Sequence, residues 1–193
     1  MSQPKPTPPR AADKIFETAR DLFYREGIRA VGVDEIVARA GVTKPSLYRT
    51  FKSKDELAAA VMRRAADGFW DYFEAAAKQH PGDPRAQILT FCDELAVRAR
   101  KDGYRGCPLT NAVVEYPEHG HPARTEAQNH KAELRTRLRA MAAEMGAADA
   151  QGLGDALLLL IEGAYISTQL FDEDRPSNGL AAAAERLISA YAG

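Results

Sequence analysis

The chain has 193 residues, with 26 basic and 27 acidic side chains, a formal net charge of −1 and two cysteines. Apolar residues make up 45%, enough for a substantial core. No apolar run approaches the ~20 residues of a bilayer span, and Cys92 and Cys107 alone make no disulfide framework, so a membrane span and a disulfide-stapled secreted scaffold are both excluded and a cytoplasmic protein is expected.

The chain opens MSQPKPTPPR, a polar, proline-rich stretch read as a disordered arm over residues 1–10. It has no apolar core of a secretory signal. Ile15, Phe16, Ala19, Leu22 and Phe23 then fall on one face of an amphipathic helix, ended by Gly27. A short second helix, Val33–Ala40, carries Val33, Ile36, Val37 and Ala40 on one side, and Gly41 ends it. Thr43 is placed to cap a third helix over residues 44–51, with Pro45 in its first turn and Leu47 and Phe51 as its apolar i, i+4 pair. Ser53 and Glu56 form a capping box that opens a long fourth helix to Gln79, lined by Leu57, Val61, Ala65, Phe69 and Phe73.

Pro81-Gly82-Asp83-Pro84 is a break, with Asp83 as the cap of a fifth helix that turns Ile88, Phe91, Cys92 and Leu95 inward. A sixth helix is expected over Pro108–Glu115. A charged seventh follows over residues 123–145, with Leu134, Leu138 and Met141 as its apolar side. An eighth spans residues 150–171 and a ninth residues 178–192. The reading is therefore all-α, with no segment of strand period and no internal repeat.

The eighth helix is apolar on most of its circumference, which demands burial on more than one side. With the ninth helix it is expected to form a homodimer interface through Leu153, Leu157, Leu160, Ile161, Leu187 and Tyr191, completed by two-fold symmetry into a four-helix bundle.

Charge is unevenly shared. Residues 1–64 hold 13 basic and 8 acidic side chains, a balance of +5; residues 65–193 hold 13 and 19, a balance of −6. A basic head on an acidic body suits an anionic partner at one end. The second and third helices, joined by Gly41-Val42-Thr43, make a helix-turn-helix. Such a unit sets its second helix in the major groove of double-stranded DNA. With Leu47 and Phe51 facing inward, Thr43, Lys44, Pro45, Ser46, Tyr48 and Arg49 are left to face a groove, and Lys54, at the start of the fourth helix, is expected to meet a phosphate.

These residues carry a resemblance. Ile15-Phe16…Ala19…Leu22-Phe23…Gly27, Val33-Asp34-Glu35-Ile36, Ala40-Gly41-Val42-Thr43-Lys44, Leu47-Tyr48, Phe51 and Ser53-Lys54-Asp55-Glu56-Leu57 resemble the DNA-binding domain of the TetR family of transcriptional regulators. The segment GCPLTNAVVEYPEHGHP looks like the ligand domains of many members. Gly32 stands where members usually carry Ser or Thr, and Pro45 where a small residue is common; both bear on base preference.

The resemblance implies an all-α homodimer: an N-terminal three-helix DNA-binding domain with the helix-turn-helix (residues 11–52) and a larger helical ligand-binding and dimerisation domain (residues 53–193). It implies a palindromic operator, a small-molecule effector that releases it, and no enzyme activity. No cofactor is called for.

For the effector, Trp70, Phe73, Phe91, Cys107, Asn111, Tyr165 and Gln169 are the candidate pocket residues, an apolar lining with few polar anchors. Cys107, before Pro108 at a helix start, admits two readings, a packing residue or a thiol that senses oxidants or electrophiles. Cys92 reads as core. His119, His121 and His130 read as solvated or pocket-edge, without metal-ligand spacing. A helical adaptor that binds protein through its head is the remaining alternative.

Overall fold

The computed structural model describes residues 10–171 and 175–192. They form nine α-helices, α1 (Ala11–Glu26), α2 (Val33–Ala40), α3 (Lys44–Thr50), α4 (Lys54–Gln79), α5 (Pro84–Arg98), α6 (Pro108–Glu115), α7 (Pro122–Glu144), α8 (Ala150–Leu170) and α9 (Leu180–Ala190), the last preceded by a 3-10 turn at Pro176–Gly179. That turn takes residues 178 and 179 out of the expected ninth helix. Among the described residues the chain pairs in strand fashion only at an isolated bridge between Ala147 and Ala192. The arm read over residues 1–10 lies, except for Arg10, outside the described residues.

Local chemistry explains most boundaries. Gly41 closes α2 in the left-handed conformation (φ 64°), with its own N–H on Ala38 O and that of Val42 on Val37 O, a termination that a side chain disfavours. Ser53 Oγ accepts from the Glu56 N–H at 3.0 Å and Asp83 Oδ1 from the Ala86 N–H at 3.0 Å. The capping box is shifted, because Glu56 reaches back to the Lys52 N–H at 2.7 Å instead of that of Ser53. Thr43 caps α3 with its backbone only; its hydroxyl pairs with Ser46 Oγ at 3.1 Å.

The head, α1 to α3, closes over fully buried Ile15, Leu22, Ile36 and Leu47, with Leu57 of α4 entering the same core. In the body, α7 packs against α4 on one side and α8 on the other. Leu134 and Leu138 of α7 and Leu153, Leu157 and Ile161 of α8 belong to that shared core, all 0% exposed. The crossing is close: a Cβ on Gly154 would lie 2.7 Å from the Arg139 backbone, so only glycine fits. Asp155 locks the pair, taking two hydrogen bonds each from Arg135 and Arg139 at 2.6–2.8 Å. Those guanidinium bonds hold its carboxyl well below the usual carboxylate range.

This packing corrects the expected dimer face at three of its six residues. Leu153, Leu157 and Ile161 are used up inside the subunit. Leu160 and Leu187 are half-buried against the same core and keep part of their surface open to a partner. Tyr191 is half-buried too, and its backbone carbonyl accepts from the Ala148 N–H at 3.0 Å. The apolar stripe that α8 leaves open is Leu159 (74% exposed), Ile166 and Leu170, at helical spacing with Gly163 between them.

His130 is the other correction. It lies 3% exposed on α7, its ring 4.6 Å from Phe69 and 5.5 Å from Trp70, with no hydrogen bond to either nitrogen. Burial, then the charge of Lys131, lowers its pKa from 6.5 to about 4. The folded state therefore holds the ring neutral while the unfolded chain takes up the proton first. Stability is full above about pH 6.5 and should fall by about 3 kcal/mol between there and pH 4. Urea unfolding across that window checks this: His130→Leu should flatten the slope, and an unchanged slope would exclude His130 as its source. No helix among the described residues is long and apolar enough to cross a membrane, and no group of three His, Cys, Asp or Glu side chains among them is placed to hold a metal.

Candidate nucleic-acid interface

The helix-turn-helix presents α3 outward. Thr43, Lys44, Pro45, Tyr48 and Arg49 are exposed, Ser46 is half-buried, and Leu47 alone is fully buried beneath them. The hydrophobic effect thus selects the face that is left free: one leucine anchors a seven-residue helix whose other side chains stay wet. Lys44 Nζ sits 2.7 Å from Asp34 Oδ1 of α2, an exposed pair that a phosphate can replace at little cost. Arg49 has no ion pair and no side-chain hydrogen bond among the described residues, so its five donors face solvent.

Lys54 departs from the expectation. Its ammonium turns inward and donates to the carbonyls of Ile28 at 2.9 Å and Val31 at 3.0 Å, in the loop between α1 and α2. Those carbonyls would otherwise lack partners in a part-buried loop, and the lysine stem is long enough to reach them from the first turn of α4. Its role here is to fasten α4 to the head. Lys54→Met should destabilise the head by about 1–3 kcal/mol, read by thermal unfolding, while the folded protein should keep its affinity for DNA.

Two further ties join head and body. Tyr24 Oη on α1 accepts from the Arg105 N–H at 2.7 Å and donates to the Gly106 carbonyl at 3.3 Å, in the loop before α6. At the far end of α6, the Glu115 carboxylate accepts from the Arg29 N–H at 2.9 Å, and Arg29 Nη1 donates to the Glu115 carbonyl at 3.0 Å. Helix α6 is therefore bonded to the head at both ends.

Behind Tyr24 lies a cavity of about 340 Å³, walled by α4, α5, the loop before α6, and α8. Of the seven candidate pocket residues, Cys107 and Tyr165 are on its wall. Trp70, Phe73 and Phe91 are not: they form a mostly edge-to-face cluster with Phe69 at centroid distances of 5.1–6.0 Å, ordinary core packing at helical spacing. Asn111 lines a neighbouring groove of about 400 Å³ between α1, α4 and α6, its amide donating to the Arg105 carbonyl at 2.9 Å. Gln169 is exposed at the end of α8. Tyr24, Tyr72, Arg98 and Tyr104 line the cavity without having stood out in the sequence, since convergence from four separate segments leaves no spacing to read. Cys92 is fully buried, and burial pushes its thiol pKa up to about 12.

Cys107 is 5% exposed, and Lys131 Nζ lies 3.4 Å from its sulfur while pairing with Glu162 Oε1 at 2.5 Å. Thr110 Oγ1 donates to the other Glu162 oxygen at 2.7 Å. His121 stacks on Tyr116 at 3.5 Å and approaches Asp55 at 3.4 Å.

Residues 15–61 match the family model of bacterial regulatory proteins of the tetR family, and residues 84–183 that of the C-terminal domain of LmrA/YxaF-like transcriptional regulators. The chain belongs to the TetR family of transcriptional regulators. This TetR-family chain is 51% identical over 54 residues to the transcriptional activator FasR of Mycolicibacterium smegmatis, covering 28% of the chain and 25% of FasR. It is 29% identical over 139 residues to the transcriptional repressor ComR of Escherichia coli, covering 64% and 60%. The chain thus matches less than two thirds of the length of these curated relatives. A TetR-family transcriptional regulator from Streptomyces coelicolor superimposes with a TM-score of 0.89 at 31% identity, covering 95% of this chain and 96% of that one. Within this TetR-family head, Gly32 begins α2 with no side chain to offer a backbone, and Pro45 is exposed in the first turn of α3.

Proposed function

We propose that this TetR-family protein is a homodimeric repressor that binds a palindromic operator through Thr43, Lys44, Pro45, Ser46, Tyr48 and Arg49, and leaves it when a small molecule enters the body. The observation that carries the reading is the joint use of the cavity wall: the loop that ends in Gly106 and Cys107 lines the cavity and is also where Tyr24 fastens α1. A ligand that moves this loop acts on the head directly, without needing the whole length of α4. The partner subunit is proposed to cover the open α8 stripe. The protein would act in the cytoplasm, where its DNA is.

Selection of genomic fragments by the full-length protein tests this. A palindromic site bound with a steep loss of affinity as salt rises is expected. A reporter carrying that site should be expressed more strongly when the protein is deleted; weaker expression would make it an activator, as FasR is by name.

One observation favours a second reading. Cys107 lies on the cavity wall beside the Lys131 ammonium, so its thiol can add to an electrophilic carbon–carbon double bond, the sulfur bonding one carbon and the proton ending on the other. Operator release by N-ethylmaleimide that Cys107→Ala abolishes would support it; equal release from both proteins would remove it.

A further inference from the structure

Arg98 ends α5 and borders the cavity, its side chain 18% exposed. Its guanidinium lies 4.4 Å from the ring centroid of Tyr72 and 5.7 Å from that of Phe91. Ring faces hold a cation in place without neutralising it. Its ion pair with Glu94, one turn back on α5, is 3.7 Å long, beyond hydrogen-bond range. Arginines at helix ends commonly donate to the last carbonyls, yet among the described residues the Arg98 side chain makes no hydrogen bond.

Two phenols share the cavity wall with it. Tyr165 is 6% exposed and Tyr104 half-buried, and neither hydroxyl has a hydrogen-bond partner among the described residues. Burial raises both pKa values well above the phenol's usual one, against a smaller opposing pull from Arg98, so both are O–H donors at neutral pH. Lys101 adds a second cation, and among the described residues no Asp or Glu lines the cavity. That is a marked local reversal in residues 65–193, whose balance is −6. The remaining walls, Phe69, Leu95 and Leu109, are apolar. The volume of about 340 Å³ falls at the lower end of the ~300–1,000 Å³ of small-molecule sites.

We propose that the cavity binds a small organic acid, an aromatic or short aliphatic body on the Phe69 side with one carboxylate forked on Arg98 and hydrogen-bonded by Tyr104 and Tyr165. The planar guanidinium matches a carboxylate with two parallel N–H donors, and Arg98, held by two ring faces and a long ion pair to Glu94, keeps its donors unused among the described residues. The inference rests on the reading that this body takes up a small molecule, but it is tested without DNA.

The full-length protein should be titrated calorimetrically with 3-phenylpropionate, its amide and 2-phenylethyl phosphate. Trp70, the chain's single tryptophan, packs edge-on against Phe69 at 5.3 Å and gives a second, fluorescent readout. The acid should bind at least about tenfold more tightly than the amide. Arg98→Met should abolish that preference. Tyr165→Phe, which removes one oxygen and keeps the packing, should weaken the acid severalfold and keep the inference testable if the arginine variant does not fold. Equal binding of acid and amide, a preference that survives both variants, tighter binding of the phosphate, or no binding of the acid would each overturn it. Operator release is scored separately: an acid that binds without releasing DNA would count against the responsive regulator and leave the ligand class standing, whereas release by the amide alone would do the reverse.

Discussion

Replacing Leu159 and Ile166 together by glutamate should leave a folded monomer that no longer holds its operator. Both side chains stand exposed, at 74% and 41%, two turns apart on one side of α8. Beside them runs a shallow apolar furrow bounded by Leu160, Gly163, Leu180 and Ala183, into which the same stripe of a second copy can fit. Burying a leucine or isoleucine contributes about 1.5–3 kcal/mol, and two-fold symmetry counts each residue twice. Losing both contacts and placing carboxylates in an apolar seam should weaken association at least about a thousandfold. Sedimentation equilibrium measures this. The fold itself should tolerate the change, because neither residue belongs to the core between α7 and α8. A double variant as dimeric as its parent would exclude this face as the interface. The same experiment on Leu157 would be uninformative: it is 0% exposed, and its loss opens a cavity against α7 whether or not a partner exists.

Arg49→Glu should cost about 1–3 kcal/mol in each half-site, which over a dimer amounts to roughly thirtyfold to twenty-thousandfold in operator affinity. The dependence of log affinity on log salt should flatten by roughly two, one phosphate contact for each subunit. Thermal stability should change by no more than about 0.5 kcal/mol, because the guanidinium makes no ion pair and no side-chain hydrogen bond among the described residues. Lys44 is the comparison. Its ammonium must leave Asp34 before it meets DNA, so Lys44→Gln should cost less than removal of Arg49. If Arg49→Glu binds the operator as the parent does, α3 does not read DNA through this face.

Three of the four cations between residues 44 and 54 therefore have three different situations. Arg49 stands free, Lys44 is held by an exposed carboxylate, and Lys54 is committed to loop carbonyls. Composition and spacing treat them alike. What distinguishes them is the position of residues 28–31 and of Asp34, and neither is written in the stretch itself.

The helices were legible because their ends are local. Gly41, Ser53, Asp83, Pro84 and Pro108 act within one turn of themselves, through a left-handed conformation, a capping oxygen or a missing N–H, and the boundaries they imply for α2, α4, α5 and α6 are those of the structure. The candidate site was legible in part. The outward face of α3 follows from Leu47 alone, since one buried residue on a short helix determines which side stays wet. The cavity was not. Phe73 and Phe91 have the same residue type and helical spacing as a pocket lining would, and only the arrangement of α4 against α5 and α7 packs them into a closed aromatic cluster while opening space beside Phe69 and Tyr165.

By itself the sequence determined an all-helical chain, a helix-turn-helix with a defined outward face, and an eighth helix too apolar to have a single neighbour. The tertiary structure decided which neighbour takes which side: α7 meets Leu153, Leu157 and Ile161, and Leu159, Ile166 and Leu170 remain open. The division has a physical reason. Capping and periodicity are fixed within one or two turns of chain, whereas the burial of a given leucine, the partner of a lysine and the emptiness of a cavity depend on residues far along the sequence that only the packed core brings together.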